Sequence, residues 1–147
     1  MIEIIKVDKT YLDDIAPLFD AYRIFYGQNS DVPAARIFLT ERMDKRESVL
    51  FLAHHKGIPA GFTQLYTTFS SVTLQPVYIL NDLYVDVKYR KMGIGEALLE
   101  KGKTFCKSKG YKGLALETAI DNPAQKLYER LGWEKESHCF HYFWSAE

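Results

Sequence analysis

The segment YRKMGIGEALL, residues 89–99, holds the residue types best suited to gripping a charged group. A basic pair, Arg90 and Lys91, precedes Gly93 and Gly95, and an apolar helical pattern begins at once with Ile94 and Leu98. Glycine serves where backbone turns sharply or must come close to a ligand. Successive amides with no side chains in the way, at the start of a helix, form an anion site. Arg90 and Lys91 add positive charge, so a pyrophosphate is the natural guest. Two better-known phosphate loops fit poorly. A P-loop ends in Gly-Lys-Ser/Thr, whereas Gly95 is followed by Glu96. A dinucleotide fingerprint needs a third glycine where Leu98 stands. A tight strand-to-helix turn, with glycines present only for geometry, explains the same spacing equally well.

The elements around the loop follow from periodicity and punctuation. IEIIKV (2–7) reads as an opening strand. Thr10 followed by Asp13 resembles a capping box, and Ile15, Leu18, Phe19 and Tyr22 then share a helical face. Pro17 within that pattern predicts a kink or an irregular start. A second helix is capped by Ser30 or Asp31, carries Pro33 in its first turn, and turns Ala34, Ile37, Phe38 and Met43 inward. SVLFLAHH (48–55), a turn at KGIP, and AGFTQLYTTFSSV (60–72) form a hairpin; PVYILNDLYV (76–85) is a further strand.

After the glycine loop, Ile94, Leu98, Gly102 and Phe105 mark a helix that stops at KGYKG. LALETA (114–119) is a short strand. Asn122 as cap and Pro123 in first position open a helix through Leu127, Tyr128 and Leu131, closed by Gly132. SHCFHYFW (137–144) alternates like a final strand. This order implies an α/β, α+β-type mixed sheet: antiparallel hairpins first, then a strand–helix–strand unit with a parallel pair. The glycine loop sits at the carboxyl end of a strand, where open sheets bind ligands.

Composition narrows the functional classes. The 147 residues suit one domain, 1–147, with a real core. Nineteen basic and nineteen acidic side chains cancel, so no whole-molecule field draws the chain to nucleic acid or anionic membrane. The start, MIEIIKVDKTYLDD, lacks both a signal-peptide profile and a bilayer-spanning run, and a cytoplasmic protein is expected. Cys106 and Cys139 read as reduced, partly buried thiols. Neither they nor His54, His55, His138 and His141 show metal-ligand spacing, so no metal is expected. The very apolar CFHYFW end suggests a buried strand or the paired edge of a homodimer.

Two motifs taken together carry a resemblance. Arg90-x-x-Gly93-x-Gly95 is followed, after a helix and a strand, by Asn122-x-x-Gln125-x-Leu127-Tyr128-x-x-x-Gly132-Trp133. In this order they resemble the acetyl-coenzyme A binding half of the GNAT superfamily of N-acetyltransferases. The match covers roughly the last half of the chain, and the first half agrees in element order. The resemblance implies a mostly antiparallel sheet whose central parallel strands splay apart, with acetyl-CoA between them. Backbone of Leu83, Tyr84 and Val85 would receive the pantetheine arm like an added strand. The pyrophosphate would sit on the loop formed by Arg90, Lys91, Met92, Gly93, Ile94, Gly95 and Glu96. Asn122, Gln125 and Tyr128 would complete the cofactor site.

Transfer of an acetyl group to an amine needs a neutral nucleophile, a polarised thioester carbonyl and a proton for the leaving thiolate. The resemblance gives the acid role to Tyr128, a phenol that stays protonated at pH 7. It gives the carbonyl to the Val85 amide. The base is open. YILNDLYV contains no glutamate, and the family's base positions fall on Asn81 and Ile79. Asp82 is adjacent, but alternation turns it to the opposite face unless a bulge intervenes. Glu117 on the next strand is second, and a water chain third.

The acceptor is expected between the first two helices and the sheet. Tyr22, Phe25 and Tyr26 bracket Arg23 there, and aromatics cradle an ammonium or an aryl group. Tyr66, Asn81, Tyr84 and Glu117 could line the same cleft. The expectation is direct transfer to a primary amine, whether polyamine, small amine or lysine. The rivals are a noncatalytic acyl-CoA sensor of the same fold and, less compatible with the loop, a nucleotide-binding regulator.

Overall fold

The computed structural model describes all 147 residues as two compact units, Met1–Glu117 and Thr118–Glu147. The first unit contains β1 (Ile2–Lys6), α1 (Leu12–Phe25), α2 (Val32–Asp44), β2 (Ser48–His55), β3 (Ile58–Ser70), β4 (Gln75–Val85), α3 (Ile94–Ser108) and β5 (Leu114–Ala115). Single 3-10 turns precede α1 and follow β4. The sheet runs β1-β2-β3-β4-β5, antiparallel throughout except for the parallel β4–β5 pair. This is the mixed sheet that the element order implied.

Two helical layers cover the sheet. Phe51 and Tyr78 place their rings against Phe105 of α3. On the other face Phe62 meets Phe19 and Tyr22 of α1, and Tyr84 meets Tyr22. The α1 side forms a core of Leu12, Ile15, Leu18, Phe19, Ala35, Leu39, Leu50, Leu52 and Phe62. Burying one such side chain is worth roughly 1.5–3 kcal/mol, so this cluster fixes α1 and α2 on the sheet. The β2–β3 hairpin turns on Lys56 and Gly57, both at positive φ (52° and 81°), which matches the twist of the paired strands.

Several local expectations are corrected. The Thr10–Asp13 capping box does not form; Asp8 accepts from the Thr10 amide at 2.9 Å and starts the 3-10 turn, the irregular entry to α1. The helix then runs on through Pro17, which has no N–H to offer the Asp13 carbonyl. In α2 the inward stripe is Ala35 and Leu39, with Met43 half-buried, while Ala34 and Ile37 face solvent. Asp31 caps this helix by accepting from the Ala34 amide at 3.1 Å, and residues four apart then point inward. Phe38 sits at the margin, stacked on Phe19. The strand expected over 114–119 is only Leu114–Ala115, because nothing pairs with it beyond Ile79↔Ala115.

In the second unit, α4 spans Gln125–Arg130 with Ala124 as its cap residue, so Asn122 is not the cap. Asn122 instead holds the preceding turn, accepting from the Ala124 amide at 2.9 Å and donating to Thr118 Oγ1 at 2.8 Å. The helix closes as expected at Gly132 (φ 90°): the Gly132 amide donates to Glu129 and the Trp133 amide to Tyr128. No final strand forms over 137–144. An alternating segment needs a pairing edge, and this one has none; Phe140, Tyr142, Phe143 and Trp144 are each at least 85% exposed. Cys139 is exposed rather than partly buried, whereas Cys106 is buried.

Candidate functional site

Strand β4 carries the site, and one irregularity decides what it presents. Gln64 of β3 pairs with Asp82, but Leu65 pairs with Leu80, so Asn81 is an extra residue in β4. Such a bulge reverses the side-chain alternation beyond it. Tyr78 and Leu80 therefore face α3, where Leu80 lies beside Gly102. Past the bulge, Asp82 and Tyr84 face α1 and Tyr22. The condition set for Asp82 to turn inward is met.

Asp82 is 2% exposed. Gln64 Nε2 donates to its Oδ2 at 2.5 Å, and Asn81 Nδ2 donates to its Oδ1 at 2.8 Å. The Asp82 carbonyl accepts from Thr63 Oγ1 at 2.7 Å. Burial pushes the carboxyl above its ordinary range, while hydrogen bonds from Gln64, Asn81 and Tyr22 pull the other way. Tyr22, whose hydroxyl also donates to the Asn81 carbonyl at 3.4 Å, is raised far above a free phenol by burial and by the Asp82 charge. Tyr66 is pushed up to about 12, by burial first and Asp82 second. A carboxyl group thus sits among phenols that hold their protons at neutral pH.

Tyr22, which bonds the Asp82 carboxyl, begins a run of aromatic contacts. Tyr22 and Tyr26 meet edge to face at 5.0 Å between centroids, and Phe25 and Tyr26 at 5.2 Å. Phe25 and Tyr26 are exposed. Arg23, half-buried in the same turn, has its Nη1 buried without a hydrogen-bond partner. Asn81 is exposed, and Glu117 is exposed beyond the end of β5.

Along β4 the parallel pairing with β5 consists of Tyr78↔Leu114 and Ile79↔Ala115. From Leu80 to Val85 the β5-facing edge has no strand partner. Gly61 keeps β3 and β4 close here: a Cβ on it would meet the Tyr84 carbonyl oxygen at 2.7 Å and Val85 Cα at 3.3 Å. At the strand's end, Arg90 Nε donates to the Val85 carbonyl at 2.9 Å, and its guanidinium lies 5.7 Å from the Tyr84 ring centroid.

The loop that follows uses two left-handed residues, Lys91 (φ 63°) and Gly93 (φ 82°), and Gly93 is the cap of α3. No atom lies within 4 Å of a Cβ built on Gly93, so this glycine is required by conformation and leaves its surroundings open. The first bond within α3 runs from Ala97 to the Gly93 carbonyl, so the amides of Ile94, Gly95 and Glu96 precede it. Arg90, Lys91, Met92 and Gly93 are exposed. Fifteen residues of helix point their positive end at this loop.

In the second unit, Tyr128 is half-buried on α4, its ring 6.2 Å from that of Trp133. Gln125 Nε2 donates to the Ile120 carbonyl at 2.7 Å, so Gln125 and Asn122 both stabilise the turn leading into α4. Glu136, His138 and Cys139 place one ligand-type atom each within 4.8 Å of one another, all three exposed. Sequence spacing did not single out this trio. No helix is long and apolar enough to cross a membrane.

Sequence reading missed Gln64 and Thr63. Gln64 had a signal: it alternates with Phe62 and Tyr66 on one face of the strand, and a polar residue at an inward position asks for a partner.

Comparison with known proteins agrees with this fold. The acetyltransferase (GNAT) family profile matches residues 13–133. The chain is 46% identical over 129 residues to YhfO of Bacillus subtilis (strain 168), described as an uncharacterized N-acetyltransferase; the match covers 87% of each chain. A probable acetyltransferase of Haemophilus influenzae is 31% identical, covering 86% of this chain and 96% of that one. A crystal structure of a probable acetyltransferase superposes with a TM-score of 0.92 at 35% identity, over 99% of this chain and 98% of that one. The aminoglycoside N-acetyltransferase AAC(6')-Iy, solved in complex with CoA, shares the fold at 22% identity and a TM-score of 0.79, over 97% and 94% of the two chains. Fold and matches define an N-acetyltransferase. The chain belongs to the GNAT family.

Proposed function

We propose that the chain acts as one N-acetyltransferase domain that transfers the acetyl group of acetyl-CoA directly to a primary amine, with Asp82 as the base. The observation that carries this reading is the bulge at Asn81, which buries a carboxyl group against Tyr22 on a strand whose edge has no strand partner from Leu80 to Val85. Acetyl-CoA supplies an acetyl group activated as a thioester. The residues present fit it. The unpaired edge at Leu83–Val85 suits an amide-bearing arm, and the left-handed Lys91 and Gly93 with the start of α3 suit a diphosphate. Arg90 and Lys91 add charge to that grip.

Tyr22 and Tyr26 offer ring faces to an alkylammonium, and Asp82 accepts its proton. Such an acceptor is a polyamine, a small amine or a lysine side chain. The orphaned Arg23 Nη1 supports a hydrogen bond from this turn to the bound acceptor. Tyr128 takes the acid role on the strength of its motif with Asn122 and Gly132. Cys106 is buried against the Tyr111 carbonyl, and Cys139, though near His138, lies in the exposed C-terminal segment, which favours direct transfer over an acyl-enzyme. The exposed aromatics of the C-terminal segment support a homodimer.

The test is thermal unfolding with acetyl-CoA, CoA, ATP and NAD, followed by thiol release across an amine panel. The expected result is a midpoint shift with acetyl-CoA and CoA alone, and thiol release with at least one amine. Tyr128→Phe should retain the shift and lose turnover by ~10²-fold or more. A shift that no amine converts into thiol release would favour the noncatalytic acyl-CoA sensor.

A further inference from the structure

Gln64 is fully buried in β3. Its Nε2 donates to Asp82 Oδ2 at 2.5 Å, yet its Oε1 is buried with no hydrogen-bond partner. Buried acceptors without donors are few in folded proteins, and each asks for a reason. The strand register supplies one. Gln64 stands directly opposite Asp82 at the rung where the bulge begins, so the device that turns Asp82 inward also sets it against this amide. A primary amide is donor and acceptor at once, and rotation about its last torsion exchanges the two.

We propose that Gln64 is the positioning residue for Asp82 and holds its Oδ2 in both charge states. Toward the carboxylate it donates through Nε2, as seen. When Asp82 takes a proton, the N–H bond of the acceptor's ammonium breaks, an O–H bond forms on the carboxyl, and the electron pair stays on nitrogen. The Gln64 amide then rotates, and its Oε1 accepts the new O–H. The orphaned oxygen is thus the partner kept for the second charge state. Thr63 holds the strand, Asn81 holds Oδ1 and Tyr22 bonds the carboxyl from α1, while Gln64 is the partner placed on Oδ2.

The titratable groups facing Asp82 are Tyr22 from α1 and Tyr66 from β3; Tyr26 acts on Tyr22, and Arg42 of α2 on Tyr66. Both facing phenols titrate well above neutrality. An acid limb in the rate profile therefore reports Asp82. The inference rests on Asp82 being the base, and the experiment separates the two claims.

The experiment records kcat/KM against pH for the wild type, Gln64→Met and Asp82→Asn, with acetyl-CoA and the best amine of the panel. Methionine keeps the volume and removes the donor. The glutamine's bond to the carboxylate is charge-assisted and about twice as strong as its bond to the neutral carboxyl, so losing both penalises the carboxylate more. The expected result is an acid limb moved up by about one pH unit, a roughly tenfold rise in proton affinity. A lower rate with the limb unmoved would overturn the inference and leave Gln64 a packing residue. If Asp82→Asn keeps the wild-type limb, the base assignment itself fails, whatever Gln64→Met does. A second measurement needs no variant. The side-chain amide NMR signals of Gln64 in the wild type should move across the pH range of the limb, and signals that stay put would overturn the exchange of donor for acceptor.

Discussion

Asn81 and Asp82 are neighbours in sequence and opposites in environment: Asn81 meets solvent, while Asp82 is sealed between Gln64 and Tyr22. The single extra residue in β4 produces the contrast. It also makes Asp82 costly for the fold. Burial raises its folded-state pKa above the unfolded value, so the stability it contributes is complete below the unfolded pKa and is lost as pH rises through the folded one. Asp82→Asn should therefore lower kcat/KM by about 10²- to 10⁴-fold while matching or exceeding the wild-type Tm at pH 7. The Tm advantage should shrink as the pH falls toward about 4. An advantage that grows on acidification would contradict the sign of the shift.

Gly61 tests how closely β3 and β4 must approach. A methyl group there collides with the backbone of Tyr84 and Val85, which cannot swing aside as a side chain would. Gly61→Ala should cost about 1–3 kcal/mol in denaturant unfolding. Because the displaced residues form the open edge of β4, KM for acetyl-CoA should rise more than that for the amine. Equal effects on both would argue against that edge as the cosubstrate's seat.

Gly93 presents the opposite case, a glycine with free space around it and a left-handed backbone. Gly93→Ala should cost about 1–2 kcal/mol from conformation alone, whereas Gly93→Asn should cost less, since asparagine tolerates that region. Both would show first as weaker CoA binding in a thermal-shift titration. Identical losses for the two variants would point to steric contact instead.

The corrected face of α2 yields a plain stability test. Leu39 is fully buried and Ile37 is 59% exposed. Leu39→Ala should destabilise by about 2–5 kcal/mol. Ile37→Ala should stay within about 0.5 kcal/mol of the wild type. The reverse order would restore the face read from the sequence.

That misreading shows where legibility ends. Strands β2, β3 and β4 and helix α3 were readable because their punctuation is local: Lys56-Gly57 at one turn, Gly93 and the KGYKG stop at the ends of the helix. In α2, apolar residues at 34, 35, 37, 38 and 39 leave the period ambiguous, and only packing against α1 and β2 selects Ala35 and Leu39. The glycine loop was legible from its own spacing as a tight turn leading into α3. Asp82 was legible only as a conditional, because a bulge is set by the register of β3 against β4, and no residue in YILNDLYV announces it. Gln64 escaped for the same reason. Its partner lies on another strand, reached only once the sheet is assembled.

The two-rung pairing of β4 with β5 has a consequence for the chain's behaviour in a crowded solution. Strand edges are templates, and an edge with no strand partner from Leu80 to Val85 can recruit any extended segment, not only an amide-bearing arm. In the proposed reading, a cell rich in acetyl-CoA keeps that template covered, and a starved one uncovers it. The group that makes the protein active would then also shield this edge from stray pairing, tying the enzyme's persistence in solution to the supply of its own substrate.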